Sequence, residues 1–103
     1  MAKFKRLDPA QRKQDIVTHA LALAKQLGYT ALTQRNVATA ANCSPGLVIN
    51  YFKTVQGLRT AVMLRAVEDE VEEVVAQGLV SKHEVALNAP QELRQRSIIN
   101  AYS

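Results

Sequence analysis

Between Thr33 and Lys53 the chain gathers residue types suited to reading a nucleic acid. The guanidinium of Arg35 matches O6 and N7 of guanine, and grips a phosphate with the same fork. Asn50 has the donor and acceptor to meet N6 and N7 of adenine. Pro45 and Leu47 offer apolar surface to thymine methyl groups. Gly46, near a helix start, allows a phosphate close to the backbone, where the helix N-terminus favours an anion. Other chemistry is poorly represented. There is no phosphate-cradling glycine loop, no metal-ligand cluster and no paired acid and base. Asp15 and His19 stand four apart and read as a surface pair. His83 stands alone, and the single cysteine, Cys43, reads as a small buried hydrophobe. The sequence therefore predicts neither an enzyme nor a cofactor or metal site.

These residues need two short helices to carry them. Thr33 is a predicted N-cap, with Leu32 and Val37 at the staple positions around it. Val37, Ala38 and Ala41 fall on one face of a helix over Gln34–Ala41. Asn42-Cys43 breaks it, since Asn tolerates a left-handed backbone. Ser44 caps a restart with Pro45 at the first helical position, and Val48, Ile49 and Phe52 supply the next apolar face. Helix, short turn, helix is the DNA-binding helix-turn-helix, whose second helix enters the major groove. Ahead of it, Asp8-Pro9-Ala10-Gln11 starts a long brace helix. It runs to Leu27 with Ile16, Ala20, Leu23 and Leu27 at helical spacing, and Gly28 ends it. Arg12 and Lys13 lie near its start, within reach of phosphate. Residues 1–7, with three cations, form a basic arm.

Over Arg12 to Leu58 the chain resembles the DNA-binding domain of the TetR family of transcriptional regulators. The resemblance is carried by Ile16, Ala20, Gly28-Tyr29, Thr33, Val37-Ala38, Ala41, Ser44, Gly46, Val48, Tyr51-Phe52 and Leu58. The departures are Asn42 for Gly, Cys43 for Val, Ile49 for Tyr and Val55 for Lys. The last two remove groups that usually touch phosphate, and Tyr51 and Lys53 stand ready to replace them. The resemblance implies an all-α fold, with a three-helix DNA-binding domain over 8–53 and a helical connecting and dimerisation segment over 54–103. It implies double-stranded DNA as partner, with contacts from Thr33, Gln34, Arg35, Ser44, Pro45, Gly46, Leu47, Asn50, Tyr51 and Lys53. It also implies a homodimer on a palindromic operator, most simply as a repressor.

The second half of the chain is built differently. Thr54 caps a predicted fourth helix from Val55 to about Gln77, ~34 Å long at 1.5 Å per residue. Its stripe of Leu58, Ala61, Leu64, Val67, Val71, Val74 and Val75 needs cover, from the C-terminal segment or from a second copy. Val67, Val71, Val74, Val75, Ile98 and Ile99 are the expected dimer contacts. Gly78 is expected to end that helix, Ser81-Lys82-His83-Glu84 to form a capping box, and Asn88-Ala89-Pro90-Gln91 to start a last helix reaching Ala101.

The net charge of +4 conceals an asymmetry. Residues 1–65 hold ten Lys or Arg against two acids, while residues 66–103 hold three against seven. A basic half beside an acidic half suits a protein with one end on a polyanion. No apolar run approaches the ~20 residues that span a bilayer. The basic N-terminus lacks an apolar signal core, and the lone cysteine suits a reducing compartment; a cytoplasmic protein is expected. Only about 45 residues follow Leu58. These leave no room for an inducer pocket of ~300 Å³ built in the family's usual way, so a small-molecule inducer is not expected. The chain reads as a natural short regulator or as the DNA-binding fragment of a ligand-responsive repressor; a coherent, capped last helix favours the first. The rival class is a protein-interaction module using the acidic helix as its surface.

Overall fold

The structure, a computed structural model, describes residues 8–102. The basic arm expected at 1–7 lies outside the described residues. Among the described residues the fold is all-α, with seven α-helices, one 3-10 turn and no strand. Helix α1 runs Pro9–Leu27. Asp8 caps it by accepting from the Gln11 amide at 2.8 Å, and the Gln11 side chain accepts from the Asp8 amide at 3.2 Å. Its buried face is Ile16, Val17, Ala20, Leu21 and Ala24. Leu23 packs partly buried at the edge of that face, whereas Leu27, expected on it from four-residue spacing, is 53% exposed. Gly28 closes the helix with φ 91°, a backbone that side-chain-bearing residues rarely adopt.

A 3-10 turn at Tyr29–Ala31 leads to α2, Gln34–Ala41, and α3, Pro45–Phe52. Helix α2 packs on α1 and on α3. Helix α4, Val55–Glu68, packs across α1 and is tied to it by Arg65. The Arg65 guanidinium donates to Gln14 Oε1 at 2.8 Å and to Thr18 Oγ1 at 3.1 Å.

The single long fourth helix is not what forms. The chain reverses at Asp69–Val71, and a separate helix α5 occupies Glu72–Val80. Glu70 takes a left-handed φ of 54°, and the Val71 amide donates to the Ala66 carbonyl at 2.8 Å. Two physical causes act together. Glu68, Asp69 and Glu70 would oppose the macrodipole at the end of α4, whereas Glu72 and Glu73 favour the start of a new helix. The reversal also folds Val74, Val75 and Ala76 into the core. Gly78 does not end a helix; it lies buried inside α5. The expected capping box at Ser81 is replaced by a cap from His83, whose Nδ1 accepts from the Val85 amide at 3.1 Å and starts α6, Glu84–Leu87. Ser81 instead turns its hydroxyl back to the Gln77 carbonyl at 3.0 Å. Helix α7, Gln91–Ala101, lies along α5.

One apolar core runs through both halves of the chain. Leu32, Val37 and Val48 join Leu58, Val62, Met63, Val74 and Val75 in the same cluster. A polar clamp fastens the two halves as well. The Gln77 amide nitrogen donates to Ala24 O at 3.1 Å, and its oxygen accepts from the Tyr29 amide at 2.8 Å. The Tyr29 hydroxyl meets Ser81 Oγ, and its ring stands edge-on to His83 at 5.6 Å.

Candidate nucleic-acid interface

Caps set both ends of α2 and the start of α3. Thr33 Oγ1 accepts from the Asn36 amide at 3.0 Å, and Asn36 Oδ1 accepts from the Thr33 amide at 2.8 Å. The same Asn36 side chain donates to Ala31 O at 3.0 Å, tying the helix start to the preceding turn. Asn42 ends α2 in the left-handed region at φ 56°. The Cys43 amide returns to Ala38 O at 2.9 Å. Ser44 Oγ accepts from the Leu47 amide at 3.2 Å and starts α3 with Pro45 in its first turn. Thr33 and Ser44 thus use a hydroxyl lone pair inside the fold, and their first role is to aim the helices.

After α3, Lys53 adopts φ 65° and ψ −52°, and the Thr54 amide donates to Phe52 O at 2.6 Å. This tight γ-turn is a strained conformation for a residue with a side chain. It turns the chain from α3 into α4, whose start is capped by Thr54 Oγ1 accepting from the Gly57 amide at 2.9 Å.

The residues expected to meet DNA divide by burial. Thr33, Arg35, Ser44, Pro45, Gly46, Asn50 and Lys53 are exposed, while Gln34, Leu47 and Tyr51 are half-buried. Leu47 and Tyr51 pack partly against the core, so each offers only one edge outward. Among the described residues, the side chains of Arg35, Asn50 and Lys53 have no hydrogen bond or ion pair within the chain. They are groups whose polar valence is open. Ile49, where the resembled pattern has a tyrosine, is 46% exposed on the same helix.

Three supporting residues escaped the sequence reading as positioners. Asn36 locks the α2 cap from both sides, by its amide and by its side chain. Arg59 reaches back from α4 to donate to Leu32 O at 3.0 Å, one residue before the cap, and its buried Nε has no hydrogen-bond partner among the described residues. Lys13 holds its ammonium 5.5 Å from the centroid of the Phe52 ring, joining α1 to the end of α3 by a cation–π contact. The contacts of Arg59 and Lys13 join residues far apart in sequence, and no local pattern signals them. The Asn36 cap is visible in the sequence as an amide three residues after Thr33.

Cys43 sits half-buried in the α2–α3 turn. Burial pushes its thiol up from the ordinary value; Arg12 pulls it down and Asp15 adds a smaller rise. The neutral thiol is thereby favoured, as suits a packing residue rather than a nucleophile. Asp15 and His19 lie 3.7 Å apart, with less than half of each side chain exposed. Among the described residues no three His, Cys, Asp or Glu side chains are grouped to hold a metal ion. No described helix is long and apolar enough to cross a membrane.

The expected dimer contacts need correcting. Val74 and Val75 are fully buried within one chain, and Val67 and Val71 are half-buried against its core. The α4–α5 reversal supplies their cover, so no second copy is required there. Ile98 and Ile99 on α7 remain exposed, at 37% and 68%.

No family model, curated protein or solved structure matches the chain.

Proposed function

We propose that the protein is a sequence-specific, TetR-like DNA-binding regulator, acting by occupancy as a homodimer on a palindromic operator, most simply as a cytoplasmic repressor. The carrying observation is that Arg35 on α2, Asn50 on α3 and Lys53 in the turn that follows stand exposed with open polar valence, the two short helices each started by a side-chain cap. In this reading α3 is the helix laid in the major groove. Asn50 and the edge of Leu47 meet bases, and Arg35 meets a base or the adjoining phosphate. Lys53 meets the backbone, and Gly46, exposed at the start of α3, presents its amide to a phosphate. One eight-residue helix spans few base pairs, and doubling it about a twofold axis supplies specificity, with half-sites about 34 Å apart.

The test is selection of bound duplexes from a random pool at near-physiological salt. A palindrome with two equal half-sites is the expected result. Recovery of no motif, with binding that vanishes as salt rises, would reduce the basic half to a phosphate collector and overturn the reading. Lys53→Ala is expected to weaken binding on all sequences alike and to lower the salt slope by about one counterion. Titrations at several salt concentrations check this; an unchanged slope removes Lys53 from the phosphate contacts.

A further inference from the structure

Ile49 is the apolar residue of α3 that the core does not consume. Val48 and Phe52 are buried, as helical spacing requires. Leu47 and Tyr51, on one flank of that buried ridge, pack partly against the core. Pro45 and Ile49, four residues apart on the other flank, are both exposed. Ile49, expected from the sequence on the same apolar face as Val48 and Phe52, is 46% exposed. The ridge next to this flank carries Gly46 and Asn50, which are exposed as well. An apolar edge therefore runs beside the amide of Asn50 along the outer side of the helix.

The setting of Ile49 indicates what covers it. No acidic residue occurs between Asp15 and Glu68 in the sequence. Lys53 lies one turn beyond Ile49, its amide donating to the Ile49 carbonyl at 2.7 Å. An apolar side chain between a cation and a base-reading amide suits a polyanion that shows a small apolar group on a polar surface. The major groove of DNA has such a group in the C5 methyl of thymine. The tyrosine of the resembled pattern would bring a hydroxyl for phosphate to this position. Isoleucine brings hydrocarbon alone.

We propose that Ile49 is a specificity-determining residue that reads the C5 methyl of a thymine, at a base pair adjoining the one met by Asn50. The proposal rests on the DNA-binding reading of α3 and adds to it what this flank recognises, a 5-methylpyrimidine. Side chain and methyl meet by excluding water, so the contact responds to the loss of one carbon.

The experiment replaces each thymine of the selected duplex in turn by deoxyuridine, in both half-sites. Deoxyuridine keeps the hydrogen-bonding groups of thymine and lacks only the methyl. At one position per half-site the wild-type chain is expected to lose about fourfold in affinity, or about 15-fold for both half-sites together, the worth of a buried methyl group. Ile49→Ala, checked by circular dichroism for its helices, should bind the thymine and deoxyuridine duplexes within about twofold of each other at that position. There, 5-methylcytosine paired with guanine should bind the wild-type chain about fourfold more tightly than cytosine does. A selected half-site without thymine, or a wild-type chain indifferent to deoxyuridine throughout, overturns the proposal and leaves the palindrome and the DNA-binding reading standing. A loss equally large in the wild-type chain and in Ile49→Ala assigns the methyl to another side chain and likewise overturns it. Failure to select any motif overturns the DNA-binding reading itself, and the proposal with it.

Discussion

Gly78→Leu is expected to lower the unfolding free energy by about 3 kcal/mol or more, a large share of the ~5–15 kcal/mol that stabilises a small domain. Gly78 lies where α5 crosses α4 and α6. A Cβ there would come within 2.7 Å of Ala86 Cβ and Met63 Cε, and within 2.8 Å of Met63 Sδ. The methionine is flexible and yields at small cost. Ala86 does not yield, because its Cβ is fixed to the α6 backbone, so α6 would have to move as a body. Gly78→Ala separates the competing effects. Alanine favours a helix interior by about 1 kcal/mol over glycine, and the contact with Ala86 opposes that gain; net destabilisation is expected. Urea unfolding followed by circular dichroism gives the sign. An alanine variant more stable than the parent would mean that α5 and α6 are not in such close contact.

The second large effect concerns the proposed DNA surface. Arg35→Glu is expected to cost ~1–3 kcal/mol for the lost guanidinium contact, plus repulsion of the new carboxylate by the phosphates. Affinity for the selected duplex should fall by on the order of 10²-fold or more, with little change in stability, because Arg35 is exposed and its side chain holds nothing within the fold. Asn50→Ala is the informative companion. It should lose discrimination at one base-pair position per half-site, again by ~1–3 kcal/mol, while keeping affinity for the phosphate backbone. Binding titrations on the selected site and on single-base variants distinguish the two. Undiminished affinity in Arg35→Glu would take α2 off the DNA and leave the protein-interaction reading as the stronger one.

The contrast between these predictions follows the contrast between local and long-range information. The starts of α1, α2 and α3 are set by side-chain caps within one turn, whereas α7 starts after Pro90 with no side-chain cap. Asp8, Thr33 and Ser44 accept from amides three residues on, and Asn42 donates its own amide to the Ala38 and Thr39 carbonyls. Such signals survive without any tertiary context, so the elements and the exposed residues of the candidate site were legible in the chain itself. The α4–α5 reversal was not. Its apolar stripe continues at helical spacing through Glu68–Val75. Only packing distinguishes a straight helix with an uncovered valine face from a folded pair that buries Val74 and Val75. Gly78 failed for the same reason. A glycine after a helical run signals an end by local rules, and its contact with Ala86 and Met63 exists only once α4, α5 and α6 have met.

By itself, then, the amino-acid sequence determined the all-helical character, the capped helices and the charge asymmetry, because each depends on near neighbours or on composition. The tertiary structure decided which apolar residues are consumed inside one chain and which face outward. It placed Val74 and Val75 in the core, held Lys13 over Phe52 and Arg59 on Leu32 O, and left Ile98 and Tyr102 at the surface. Burial is a property of how the helices meet, and a periodicity common to all of them does not say which pairs will do so.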